Sequence, residues 1–533
     1  MFPIGLRCAR LERASSARSR LRALGLTAVV VGSCAAAACA SAQENLGFEA
    51  LDRDGAPLGW RSPNDDATVA SDDAAAVEGE RSLLVVRAAA DGVTRLVQRI
   101  PAARLRATSG TAGAERLRLS GFLRAPAGGA APALWLRVDG SAGPLFLDSY
   151  GYGREPTGDE SGSARKAATA ADGAWRRYEV ELPLPPDVDE VAFGIAVRGQ
   201  GGAGFDGLAL AVVSSQSLPP ATPAAVRYLD AALALMREHS LRRNEVDLPA
   251  LRAEALEHAR GATTAADAHV AVRYAVRALG DRHSYLQSAP VSRALATAAV
   301  SNARTGSPLT APHGRRLDDH LAYLNVPGFA GGTPAQQLHF AEELSKLIQT
   351  LDVNQVCGWI VDLRQNSGGN LWPMLAGLGP LLGDGEVAAS VYPDGRRVPV
   401  WHRKGQAGFG DYTQLRVRAP YSLSRTAPIA VLLGPRTASS AEVLAVALRS
   451  RGLVRSFGAA TRGLSAGNRT FALADGASLI LTVAATSDAA GRVVAGPLVP
   501  DQLTARGETS APSGADAAME AASSWLAAGD SCR

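Results

Sequence analysis

Two adjacent serines, Ser439 and Ser440, stand where the apolar run 429–433 gives way, through Gly434-Pro435, to a helix-forming stretch. A serine at such a junction has its hydroxyl at the mouth of a sheet, beside the unpaired N–H groups of the first helical turn. Those groups can stabilise an oxyanion, so the position suits nucleophilic acyl transfer. The same residues equally make an ordinary helix cap, because serine is favoured there without any chemistry. A second apolar run, 356–363, leads into Asp362, Arg364, Asn366 and the glycine pair Gly368-Gly369. Adjacent glycines permit a tight turn whose amides point at a ligand. A third segment, Gly280-Asp281-Arg282-His283-Ser284, closes a helical stretch and supplies a histidine.

These residues need elements to hold them. Strand and helix patterns alternate over 321–326, 336–350, 358–363, 373–382, 429–433, 441–451, 455–458 and 479–483, an α/β sequence of elements. Upstream, Val226, Leu229, Leu233 and Met236, then Leu248, Leu251 and Ala255, recur at helical spacing. A further helix starts near Thr263-Thr264 and Asp267 and ends at Gly280. Residues 288–316 read as a connector. The segments 82–86, 116–122, 133–138, 178–182, 190–197 and 208–213 are short, often alternating and separated by Gly, Pro, Asp and Ser. Such spacing predicts an all-β sandwich.

The three chemical segments, taken together, resemble the S41 serine peptidases, which include C-terminal processing and tricorn-type enzymes. The likeness runs over about 220–510 and leaves the first 220 residues untouched. It implies a crotonase-like ββα superhelix for the core, preceded by a small helical cap. The connector is too short for the PDZ module that many processing peptidases carry. In the family pattern the nucleophile follows Thr-Ala, which here is Ser439. The oxyanion hole would come from the backbone N–H of Ser440 and an amide of Gly368 or Gly369. Processing peptidases activate the serine with a downstream lysine, but this chain has Leu464 at that place. The tricorn-type branch uses a histidine from the segment matched by His283, which becomes the expected general base. Asp281, Ser284 and Asp488 are the candidates for orienting it. Asp362 and Arg364 are read as a brace for the glycine turn, Glu442 as half of a capping box.

Composition bounds the rest. The chain has 533 residues, formal net charge +4 and basic residues scattered along its length, so no nucleic-acid groove is expected. Only Lys166, Lys346 and Lys404 are lysines. Six arginines between Arg7 and Arg22, the apolar run 24–38 and Ala40-Ser41-Ala42 read as a signal peptide ending at Ala42. The mature protein is then exported, periplasmic or secreted, with no transmembrane anchor; lipidation at Cys34 or Cys39 is the alternative. Cys357 reads as a buried small apolar residue and Cys532 as a tail thiol. No cysteine cluster or histidine spacing points to a metal, and no cofactor is implied. His258, His269, His313 and His320 are read as surface residues.

The expected organisation is a signal peptide (1–42), a jelly-roll-like accessory domain (43–217), a helical cap (218–290), a connector (291–316), a peptidase core (317–510) and a C-terminal tail or helix (511–533). The opening Asn45 to Glu49, Gly59-Trp60 and Trp175 resemble modules attached to secreted hydrolases, which makes carbohydrate a possible ligand there. The expected function is a serine-type peptidase acting on peptide or protein through an acyl-enzyme. The alternative is a scaffold that has lost its base and binds peptide or glycan.

Overall fold

The computed structural model describes residues 45–504 and 516–529, apart from 151–172, most of 290–310 and several short stretches. The leader with Cys34 and Cys39, Lys166, the loop following Tyr150, most of the connector, and Cys532 lie outside the described residues.

Hydrophobic alternation in the first part builds two antiparallel sheets. One has the order Ala67–Asp72, Ser82–Arg87, Gly201–Ser214, Glu115–Arg124, Arg176–Pro183. The other has the order Val93–Pro101, Val188–Arg198, Ala131–Gly140, Gly143–Tyr150. The six strands expected from sequence are present. Ala67–Asp72, Val93–Pro101 and Gly143–Tyr150 are additional, as is the helix Ala102–Ser109. Ala67–Asp72 lacks a fully buried residue, so no alternation marked it. The entry to this part is fixed by Asn45, whose side chain bonds the backbone of Ala50 and Leu58. Phe48 packs edge-on against Trp60 at 5.3 Å.

Three helices follow, Pro223–His239, Leu248–Ala259 and His269–Ala278. The third starts later than expected, because Asp267 accepts the amides of Thr263 and Thr264 and closes a turn first. Gly280, at φ +72°, ends the helical run. The helices share one apolar core with Phe471, Leu479 and Leu481 of the hairpin formed by Gly467–Ala472 and Ser478–Asp488. Packing, rather than chain proximity, therefore carries the His283 turn to that hairpin.

The remaining elements form a six-stranded sheet and an eight-stranded one. In the first, His313–Arg316 runs antiparallel to Leu321–Asn325, and Gly358–Asp362, Ile429–Leu433, Val454–Gly458 and Gln502–Leu503 continue in parallel. Both faces of its central strands are buried. Trp359, Val361 and Val431 join a core with the helices Pro334–Leu351 and Ser440–Arg449, while Ile360, Ala430 and Leu432 face Ala517–Ala528. The second sheet is antiparallel and contains a meander over 385–416 that sequence reading left unassigned. The 373–382 helix is two short ones, Leu371–Gly377 and Gly379–Leu382. Among the described residues no helix is long and apolar enough to cross a membrane.

Cys357 departs from expectation. It is 2% exposed, as a small apolar residue would be, but it is disulfide-bonded, with its partner outside the described residues. A cross-link of this kind typically stabilises by about 2–4 kcal/mol. Thermal unfolding with reductant should therefore show a lower midpoint than without it, and identical scans would contradict a stabilising bond.

Candidate active site

The strand Ile429–Leu433 delivers the chain to a turn closed by Thr437. Its hydroxyl accepts from Gly434 N–H at 3.0 Å and donates to the Leu363 carbonyl at 2.8 Å. Ala438 N–H then bonds the Asn366 carbonyl at 3.1 Å. These ties bring Ser439 to the head of the helix Ser440–Arg449 with φ +56° and ψ −122°. An L-residue avoids that region at a cost of about 1–3 kcal/mol unless its surroundings enforce it. A sharp, strained strand-to-helix turn is how a nucleophile is presented at a sheet end. No sequence pattern announces the positive φ.

Two glycines make room for this turn. A Cβ on Gly368 would stand 2.8 Å from the Ser439 Cβ and 2.7 Å from the Ala438 carbonyl oxygen. A Cβ on Gly369 would lie 2.1 Å from the Phe329 carbonyl oxygen. Their amides differ. Gly368 N–H donates to Asn366 Oδ1 at 2.8 Å, so that amide is occupied. Among the described residues neither Gly369 N–H nor Ser440 N–H has an acceptor. The Ser440 hydroxyl donates to the Gly369 carbonyl and welds the helix start to the glycine turn. Asp362 and Arg364 brace the turn from behind, Nη2 to Oδ2 at 2.7 Å, and Arg364 also reaches Asp516 at 2.8 Å.

Ser439 opens onto a cavity of about 460 Å³ whose walls include Leu371, Trp372, Phe409 and Val443, with Ala466, Gly467 and Asn468 along one side. His283 meets that same side. Asn468 Nδ2 donates to the His283 carbonyl at 3.0 Å, and the Ala466 carbonyl lies against the imidazole. Burial holds the His283 pKa below the ordinary histidine value, against the opposing effect of the Asp281 charge and the Ala466 carbonyl. Its Nδ1 is buried and makes no hydrogen bond among the described residues.

Of the three residues expected to orient the imidazole, Asp281 and Ser284 stay together at the His283 turn and Asp488 lies apart. Asp281 accepts from the backbone N–H of His283 at 3.0 Å and of Ser284 at 2.6 Å, so it holds the turn and not the ring. Ser284 Oγ donates to Asp281 Oδ2 at 2.8 Å and accepts from Thr482 N–H at 2.8 Å. Asp488 lies elsewhere, paired with Arg492 at 2.8 Å and six residues beyond Thr482 on the same strand. At about 3.3 Å per residue that is roughly 20 Å along the strand. Two histidines read as surface residues are buried. His269 bonds Asp475 Oδ2 at 2.7 Å, and His258 stacks on Tyr274, its pKa lowered to about 4 by burial and by Arg116. His313 and His320 are exposed.

Residues 320–503 match the family model described as Peptidase family S41. This segment is an S41 peptidase-family domain. The chain is also 28% identical over 291 residues, 54% of its length, to 86% of the nisin-resistance protein of Lactococcus lactis subsp. lactis. Among solved structures it is similar to a lipoprotein from Streptococcus agalactiae, at 24% identity over 57% of this chain and 96% of that one, with a TM-score of 0.46. It is likewise similar to a photosystem II D1 C-terminal processing protease, at 15% identity over 58% of this chain and 99% of that one, with a TM-score of 0.40.

Within the S41 domain, Leu464, the residue read against the processing peptidases' lysine, meets the site through its backbone N–H. Glu442 has no exposed surface, and its carboxylate accepts from four donors. They are Ser439 N–H at 3.0 Å, Leu464 N–H at 2.7 Å, Gly463 N–H at 2.9 Å and the Thr461 hydroxyl. The capping-box reading found the first of these and missed the other three, which arise from a segment about twenty residues away in sequence. The two described lysines are both exposed, Lys346 on the helix Pro334–Leu351 and Lys404 at a hairpin tip with φ +47°. Glu442→Ala should leave these donors unanswered, each at about 1–3 kcal/mol. Chemical denaturation should show a loss of more than about 3 kcal/mol; a loss within about 1 kcal/mol would mean that water replaces the carboxylate.

Proposed function

We propose that this chain is an exported serine peptidase that cleaves peptide bonds through an acyl-enzyme on Ser439. One observation carries the reading: a serine held at φ +56° at a helix head, facing a cavity beside two amides without acceptors. Substrate would lie extended along the glycine turn, as an added strand next to the edge of Gly467–Ala472 that no described strand pairs. Ser439 attacks the scissile carbonyl, and the developing oxyanion takes the N–H groups of Ser440 and Gly369. Each such donor is worth about 3–4 kcal/mol in the transition state. Gly368 contributes space and not an amide, since Asn366 already uses its N–H.

His283 is the proton acceptor in this reading. Burial favours the neutral imidazole, the form a base must have, and the nearby Asp281 charge and Ala466 carbonyl offset part of the cost of the imidazolium. The proton taken from Ser439 passes from His283 to the leaving amine as the C–N bond breaks. His283 then takes a proton from water, which attacks the acyl ester, and returns it to the Ser439 oxygen as the acid is released. Leu371, Trp372 and Phe409 suit an apolar side chain near the scissile bond. We read the core as crotonase-like and the N-terminal sheets as a jelly-roll-like accessory module, with carbohydrate as its candidate ligand. Export rests on the leader pattern, and the named relatives, a lipoprotein and a nisin-resistance protein, accord with a surface or exported setting.

The unpartnered Nδ1 of His283 favours a second reading, a peptide-binding scaffold with an idle serine. A serine-directed fluorophosphonate separates the two. The mature wild-type protein should be labelled, Ser439→Ala should not, and His283→Ala should react at least about 100-fold more slowly, as expected when a general base is lost. Absence of wild-type labelling would favour the scaffold.

The pH dependence gives an independent check. Protonation removes the base, so the rate must fall as pH drops through the His283 pKa. Because burial lowers that pKa, the acid limb should lie below about 6.5. A limb at or above that value would count against a buried histidine.

A further inference from the structure

Among the described residues the imidazole of His283 has no carboxylate on Nδ1, yet the peptide on both sides of it is gripped. Its N–H is held by Asp281 Oδ1 at 3.0 Å, and its carbonyl by Asn468 Nδ2 at 3.0 Å. Thr482 joins the two holders. Its hydroxyl faces Asp281 Oδ1 at 3.0 Å and Asn468 Oδ1 at 3.1 Å, and its N–H donates to Ser284 Oγ at 2.8 Å. Thr482 is 1% exposed, so water does not compete for this hydroxyl.

Asn468 also ends a segment whose other end is tied to the serine turn through Glu442. Glu442 Oε2 accepts from both Ser439 N–H at 3.0 Å and Leu464 N–H at 2.7 Å. From Leu464 the chain runs to Asn468, pinned one residue along where the Ser465 carbonyl accepts from the Thr486 hydroxyl at 2.6 Å. Four residue steps span at most about 14 Å. One short stretch therefore ties the serine turn at one end and the histidine turn at the other, and both Thr482 and Thr486 belong to the strand beneath it.

We propose that Thr482 and Asn468 are positioning residues that set the His283–Ser439 geometry through the backbone of His283, replacing an acid on its imidazole. The inference rests on the reading of Ser439 as nucleophile and His283 as base. Fixing both peptide groups of His283 leaves only its two side-chain torsions free, and burial against Ala466 restricts those. Loss of the Thr482 hydroxyl leaves two acceptors, Asp281 and Asn468, facing each other without the proton they share.

The test measures fluorophosphonate inactivation of the full mature chain, resolving the maximal rate from the half-saturating probe concentration, with melting temperature and pH profile for each variant. Thr482→Val should lower the maximal rate by about 10- to 100-fold, the scale of an ångström-sized misplacement, with half-saturation within about twofold. Thr482→Ser, which keeps the hydroxyl, should recover most of that rate. Asn468→Ala should show a similar loss, and the double variant less than the product of the two, because both act on one turn. The acid limb should move in Thr482→Val, which a loss of global stability alone would not produce. A Thr482→Val rate within twofold of wild type, or a loss that Thr482→Ser fails to recover, would overturn the inference. If His283→Ala abolishes reaction while Thr482→Val does not affect it, only the positioning role falls. If His283→Ala reacts normally, or wild type is not labelled, the underlying reading falls with it.

Discussion

A carboxylate with no access to water survives only if donors replace its hydration shell, and among the described residues Glu442 has four of them and no cation. The consequence is geometric as much as energetic. Ser439 N–H and Leu464 N–H share one oxygen, so the serine turn and the loop at residue 464 cannot move apart without stranding a buried charge. A neutral hydrogen bond between these segments would be worth about 1 kcal/mol. Charge-assisted bonds are stronger, and leaving the ion unanswered costs several times more. The loop is locked for the same reason that the carboxylate can be buried at all.

The strained backbone of Ser439 depends on that lock. A residue at φ +56° relaxes if its neighbours permit, at a gain of about 1–3 kcal/mol. Four separate ties oppose relaxation: Glu442 on its own amide, Asn366 on Ala438, Thr437 across to Leu363, and Ser440 on Gly369. The glycine pair completes the enclosure by omission. Gly368 lies so near the serine that any side chain there would displace it, and Gly369 is as tightly placed against the Phe329 carbonyl. The two glycines, which look equivalent in sequence, divide into one whose amide is occupied by Asn366 and one whose amide has no acceptor among the described residues.

This division marks where sequence reasoning stops. Strand, glycine turn and helix were legible because apolar runs of five or six residues ended at Gly368-Gly369 and Gly434-Pro435, signals that act locally. Ser439 and His283 were legible as types in context. The partners of Glu442 and of Asp281 were not, since hydrogen bonds to Leu464 and Thr482 depend on how distant segments cross. Asp488 shows the same limit in reverse: a carboxylate near the right strand in sequence that the strand itself carries away to Arg492. The meander over 385–416 escaped because its strands are half exposed and broken by Gly395 and Gly405. His258 and His269 escaped because their burial comes from packing on Tyr274 and pairing with Asp475, neither adjacent in sequence.

What remains is why an imidazole without an orienting acid would suffice. An acid on Nδ1 has two effects: it fixes the ring and stabilises the imidazolium. Here the first is divided among backbone ties to Asp281 and Asn468. For the second, the Asp281 charge and the Ala466 carbonyl act on the ring, yet burial outweighs them, so the neutral form prevails. If His283 is the base, that balance keeps it unprotonated to lower pH while stabilising the imidazolium less than an acid would. Control of its geometry then falls to the strand Ser478–Asp488 rather than to a third side chain on the ring.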